Sequence, residues 1–135
     1  MYHHQVDIRV RYADTDQMGY VYYGNYAAYF EVARVESFRQ LGFSYKKLEE
    51  AGVMMPVLEL KTKYLLPALY DDLLTIKVTI REFPKVKIRY EYEVMNEAGQ
   101  LLTTGETTLA FIHKETRKPV RMPENMANLL SPYFE

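Results

Sequence analysis

The stretch Asn25-Tyr26-Ala27-Ala28-Tyr29-Phe30-Glu31-Val32-Ala33-Arg34-Val35-Glu36-Ser37-Phe38-Arg39-Gln40-Leu41 decides the architecture of this chain. Tyr26, Phe30, Ala33, Ser37 and Leu41 recur at spacings of three and four, which predicts one face of a helix over 25–41. Asn25 or Gly24 suits the N-cap, and Gly42 suits the position just past the C-terminus. Ala27, Ala28 and Ala33 predict a close approach of this helix to a sheet. A short second helix, capped by Ser44 and stopped by Gly52, is expected over 44–51.

On either side the period changes from 3.6 to two. Upstream, Val6, Ile8, Val10 and Tyr12 alternate with Asp7, Arg9 and Arg11, predicting a half-buried strand over 6–12. Downstream, Leu58, Leu60, Thr62 and Tyr64 alternate with Glu59, Lys61 and Lys63. Leu74, Ile76, Val78 and Ile80 do the same with Thr75, Lys77, Thr79 and Arg81. So do Val86, Ile88, Tyr90, Tyr92 and Val94 with Lys87, Arg89, Glu91 and Glu93. A last strand is expected over 101–112 and a terminal helical stretch over 124–130. Turns are expected at 82–85, 96–99 and 114–118. Strands joined by short loops pair antiparallel, and each has one apolar face to cover. The long helix is the only sizeable apolar cover in the sequence. An α+β fold follows, a curved antiparallel sheet of about five strands wrapped around one long central helix.

The bulk properties agree with one domain over residues 1–135. Of these residues, 48% are apolar and 26% charged, and Gly and Pro are scarce. That is the profile of an ordinary globular chain with one core. There is no Cys, which rules out disulfides, thiolate metal sites and cysteine nucleophiles. A formal net charge of −1 with interspersed signs argues against nucleic-acid binding. The N-terminus lacks an apolar leader and no apolar run could span a bilayer, so a cytoplasmic protein is expected. His3, His4 and His113 show no metal spacing, and Ser37, Ser44 and Ser131 lack a nucleophile-elbow context.

The chemistry concentrates just before the long helix, in Asp14-Thr15-Asp16-Gln17-Met18-Gly19-Tyr20-Val21-Tyr22-Tyr23-Gly24. A helix N-terminus offers unpaired N–H groups and about half a unit of positive charge. Such a place can hold a carbonyl oxygen as it becomes an oxyanion. A carboxylate folded back from the same loop would face the carbonyl carbon, the arrangement of acyl transfer. The plainer reading makes Asp14 and Asp16 turn residues that complement the helix dipole. Tyr20, Tyr22 and Tyr26 fit either an acyl or aryl pocket or plain packing.

This segment, followed by Asn25-Tyr26 and Phe30-Glu31-Val32-Ala33-Arg34, resembles the signature of the 4-hydroxybenzoyl-CoA thioesterase family, and in particular its YbgC-like acyl-CoA thioesterase branch. The likeness continues through Tyr64-Leu65-Leu66-Pro67-Ala68 and Tyr70-Asp71-Asp72-Leu73. It implies a hot-dog fold that hydrolyses acyl-CoA without a cofactor or metal. By position it implies Asp16 as nucleophile or general base, and the Tyr23 amide, with Gly24 beside it, as the group polarising the carbonyl. Lys85 matches a basic position near the CoA phosphates, with Arg81, Lys87 and Arg89 close to it on the polar face. Members of the branch often carry His directly after the Tyr matching Tyr23, where Gly24 stands here. Glu31 and Arg34 match a Glu-x-x-Arg of the family and read as an ordinary surface pair. A homodimer or homotetramer with active sites between subunits is also implied, which would cover the exposed strand edges such a sheet leaves.

Three other functions compete. A hot-dog dehydratase or hydratase needs a His in the active-site loop, and none lies between His4 and His113. A non-catalytic acyl-thioester-binding or scaffold protein would not need Asp16. An acyl-carrier-protein thioesterase would differ only in the carrier of the ester.

Overall fold

The computed structural model describes residues 1–134. Seven strands and three helices follow in chain order: β1 (Tyr2–Arg9), α1 (Tyr26–Gln40), α2 (Tyr45–Glu50), β2 (Val53–Met54), β3 (Val57–Tyr64), β4 (Leu73–Ile80), β5 (Lys87–Met95), β6 (Leu101–Ala110), β7 (Ile112–His113) and α3 (Glu124–Leu130). Five strands form one antiparallel sheet in the order β1-β4-β5-β6-β3, and β2 pairs with β7 beside it. The sheet curves around α1, which is the hot-dog arrangement.

The helix lies where its pattern put it, with Asn25 and Leu41 as caps. Gly42 takes φ +88°, the left-handed turn that ends it. Tyr26, Phe30, Ala33 and Ser37 are buried against the sheet as expected. Ala27 and Ala28 are exposed, so the close approach is made elsewhere. At Gly105 on β6 an added Cβ would meet the Phe30 ring at 2.6 Å. The Phe30 ring in turn stacks on Tyr92 with centroids 4.2 Å apart. A missing side chain on the sheet, as well as small ones on the helix, makes room for the contact.

Arg34 is another departure from expectation. It is buried and makes no ion pair with exposed Glu31. Its guanidinium donates to the Tyr92 hydroxyl at 3.1 Å, which shares a short hydrogen bond with Thr107. Arg34, expected in a surface pair, is therefore an interior tie between α1 and the sheet, and Glu31 stays on the surface.

β1 begins earlier and ends earlier than 6–12. The pairing with β4 runs from Tyr2–Ile80 to Arg9–Leu73, because Tyr2 anchors the start by burying its ring and donating to the Ser37 carbonyl. Tyr12 lies beyond the strand and is 78% exposed.

The larger correction concerns order in the sheet. β3 does not pair with β4, which follows it in sequence; it pairs with β6 at the far edge. Residues 65–72 therefore cross three inter-strand gaps, roughly 14 Å at about 4.8 Å each, a span their number covers easily when extended. The crossing passes beneath the entrance of α1, where Ala68 is buried and accepts from the Val21 amide at 2.8 Å. The expected apolar face of β3 also behaves differently. Leu58 is 53% exposed and Leu60 47%, since α1 does not reach the edge of the sheet.

Candidate active site

The loop between β1 and α1 is tied at both ends by Asp14. Its carboxylate accepts from the Arg11 amide at 3.0 Å, the Arg11 guanidinium at 3.2 Å and the Tyr29 hydroxyl at 2.9 Å. Its carbonyl accepts from the Tyr22 amide and the Asn25 side chain. Burial alone would raise the Asp14 pKa, but the hydrogen bonds from the Arg11 amide, Tyr29 and the Arg11 guanidinium outweigh it and hold the carboxyl below its ordinary range. Burial first, and the bond to Asp14 second, push the Tyr29 phenol up. Asp14 thus holds the loop in place, as the plainer reading had it.

Asp16 is placed differently. Its backbone is clamped in a tight turn, with its N–H on the Tyr20 carbonyl at 2.9 Å and its carbonyl on the Gly19 N–H at 2.9 Å. Gly19 takes φ +80°, which closes this turn. Oδ1 accepts from the Met18 amide at 2.9 Å. Among the described residues, Oδ2 has no hydrogen-bond partner. Asp16 lines a hollow of about 280 Å³ at the mouth of α1.

Tyr23 lines the same hollow. The chain there makes a 3-10 turn, Tyr23–Asn25, that runs straight into α1. No side chain caps either start, and the Asn25 side-chain N–H donates to the Asp14 carbonyl. Among the described residues nothing accepts from the N–H groups of Tyr23 or Gly24. The helix mouth therefore keeps donors free, as a site for developing negative charge requires. The remaining wall is apolar and aromatic, with Tyr20, Tyr26, Tyr64, Leu65, Leu66 and Pro67 in it. Tyr20 and Tyr26 thus do border the hollow. Tyr22 does not; its ring packs on Tyr23 with centroids 4.6 Å apart. Residues 64–67, to which sequence reasoning assigned no part in the site, supply one side of the cavity. Their apolar side chains in a segment joining two strands, beside a proline, were the available signal.

Arg81, Lys85 and Lys87 stand elsewhere. All three lie at the β4–β5 connection, whereas the loop of Asp16 bonds to residues 68–69, just before β4 begins. The eight residues of β4 separate them by roughly 25 Å at about 3.3 Å per residue. Arg81 borders a second groove of about 500 Å³ on the outer face of the sheet and pairs with Glu91 at 2.8 Å. Within one chain these cations do not meet Asp16. Among the described residues no three His, Asp or Glu side chains converge as metal ligands.

Comparison with known proteins places these features. The profile of the thioesterase-like superfamily matches residues 10–130. The chain is 36% identical over 115 residues to YneP of Bacillus subtilis, covering 85% of this chain and 83% of that protein. It is 30% identical over 119 residues to the acyl-CoA thioester hydrolase YbgC of Escherichia coli, covering 88% and 89%. The crystal structure of a DHNA-CoA thioesterase from Staphylococcus aureus superimposes with a TM-score of 0.86 at 39% identity, covering 99% of this chain and 85% of that one. Fold and relatives together define a hot-dog enzyme of the thioester hydrolase class. The chain belongs to the thioesterase-like superfamily.

Proposed function

We propose that this enzyme hydrolyses a small acyl- or aryl-CoA to the free acid and CoA. The observation that carries the reading is the juxtaposition in one hollow of an unpaired carboxylate oxygen, Asp16 Oδ2, and the unpaired amide at Tyr23. The thioester carbonyl lies between them, its oxygen on the Tyr23 N–H with Gly24 beside it and its carbon facing Asp16. Two routes share this geometry. Asp16 attacks the carbon, the C–S bond breaks, the CoA thiolate takes a proton from water, and water then cleaves the mixed anhydride. Alternatively Asp16 takes a proton from a water that attacks directly, and the thiolate leaves. In both the oxyanion is stabilised by the helix mouth, where preorganised donors need no reorientation. A hollow of about 280 Å³ sits just below the usual range for ligand pockets. Its tyrosine-rich wall suits a flat or short acyl group.

The CoA end of the substrate is assigned to Lys85, Arg81 and Lys87 of a second copy. β3 is an exposed edge with an uncovered apolar face, the kind of edge that proteins pair or cover. Antiparallel pairing of two β3 edges reverses the second sheet, bringing its β4–β5 connection level with the first copy's hollow. A homodimer, or a homotetramer built from it, thus has its active sites between subunits. The lack of cysteine fits a cytoplasmic setting.

Replacing Asp16 by Asn keeps the shape and removes the anionic oxygen. Turnover of acyl-CoA is expected to fall at least about a hundredfold, with the melting temperature unchanged. Near-normal hydrolysis by this variant would refute the assignment. Wild-type protein that binds acyl-CoA without cleaving it would instead mark a non-catalytic acyl-binding protein. Cleavage of carrier-protein esters alone would mark an acyl-carrier-protein thioesterase.

A further inference from the structure

The hydroxyl of Tyr64 donates to the Tyr23 carbonyl at 3.2 Å, joining the last residue of β3 to the entrance of α1. The Tyr26 amide donates to the same oxygen from inside the helix. In a trans peptide the C=O and N–H point in opposite directions. Two donors holding the Tyr23 oxygen on the helix side therefore aim the N–H of the same peptide, that of Gly24, outward from the helix mouth. A hydrogen bond to the carbonyl also polarises the peptide and makes its N–H a better donor. The Tyr64 ring is held for this task. It meets buried Tyr26 edge-on with centroids 5.3 Å apart, and both rings line the hollow.

We infer that Tyr64 is a positioning residue: its hydroxyl, carried on the edge strand, fixes the Tyr23–Gly24 peptide so that the Gly24 N–H stands as a second donor beside that of Tyr23 toward the thioester oxygen. The inference rests on the thioesterase reading for its effect on rate, but the geometry of the clamp stands apart from it. Because β3 is the edge through which a second copy would pair, the clamp also makes the helix mouth sensitive to how that edge is held.

Tyr64→Phe tests it, since only the oxygen is lost and the ring remains against Tyr26. For acyl-CoA hydrolysis kcat is expected to fall roughly three- to tenfold, the scale of one hydrogen bond, with KM changed less than about twofold. In nitrogen–proton NMR correlation spectra of the free protein, the Gly24 amide proton is expected to move upfield. Tyr64→Leu, which also removes the wall, should raise KM as well. Wild-type kcat in the phenylalanine variant, a KM that rises in step with the loss, or an unmoved Gly24 amide each overturns the role. If the wild type cleaves no thioester, the thioesterase reading fails, and the Gly24 signal still decides the clamp.

Discussion

Asp14 and Asp16 are two residues apart and do different work, and the difference lies in their partners. Asp14 is buried and held by Arg11 and Tyr29, whereas Asp16, which lines the hollow, spends one oxygen on its own turn and keeps the other without a partner among the described residues. Since the Asp14 pKa is held below its unfolded value of about 3.9, its ionised form stabilises the fold above that pH. This contribution is lost as pH falls through the folded pKa. Asp14→Ala leaves the buried Tyr29 hydroxyl without its acceptor, and a loss of roughly 1–3 kcal/mol is expected at pH 7. In urea titrations the gap between wild type and variant should shrink as pH falls below about 4, where the unfolded chain's carboxylate takes up a proton before the folded one does. A gap independent of pH would show that the ionised carboxylate is not what holds the loop. The spacing alone pointed to both aspartates and the likeness to the family chose Asp16; the contacts add what Asp14 does instead, which is to hold the loop.

Between elements, the decisive contact is α1 on the sheet at Phe30, Tyr92 and Gly105. Gly105→Ala would drive a methyl into the Phe30 ring, which lies 2.6 Å from the added carbon and is fully buried with no room to swing. Overpacking of this kind costs about 1–3 kcal/mol, so thermal unfolding should show a clearly lowered midpoint. A midpoint equal to wild type would mean that helix and sheet can separate freely there. The alternation in β5 was legible because every second residue from Ile88 to Val94 is buried under the helix. The alternation in β3 is just as regular and misled about its cover, since a period of two reports which residues share a face, not what lies on that face. Arg34 misled for a similar reason: three-residue spacing to Glu31 put the two on neighbouring helix positions, yet the guanidinium turned inward to Tyr92.

At the scale of the whole molecule, the sheet ends on one side in β1, whose outward residues are largely polar, and on the other in β3, with Val57, Leu58, Leu60 and Tyr64 exposed. Such an edge is a template for association. If two copies pair through this edge, as proposed, Leu60→Asp should shift the assembly toward monomer in light scattering after size exclusion. If the cations that meet CoA come from a neighbour, hydrolysis should fall together with assembly. An oligomer unaffected by the aspartate would place the interface elsewhere, and a fully active monomer would remove the shared site.

The sequence by itself determined the long helix, the main alternating strands and the segment in which the proposed site lies. Periods of two and 3.6, a stop at Gly42 and a carboxylate loop before a helix are local properties, set by neighbours within a few residues. It also carried the likeness to the thioesterases through the same segment. What only the tertiary structure decided is long-range: that β3 crosses to the far edge, that residues 64–67 wall the hollow, that Arg34 is interior, and that Arg81, Lys85 and Lys87 stand a strand's length from Asp16. Each of these depends on which surfaces find one another when the sheet closes around the helix, and no local pattern encodes that choice.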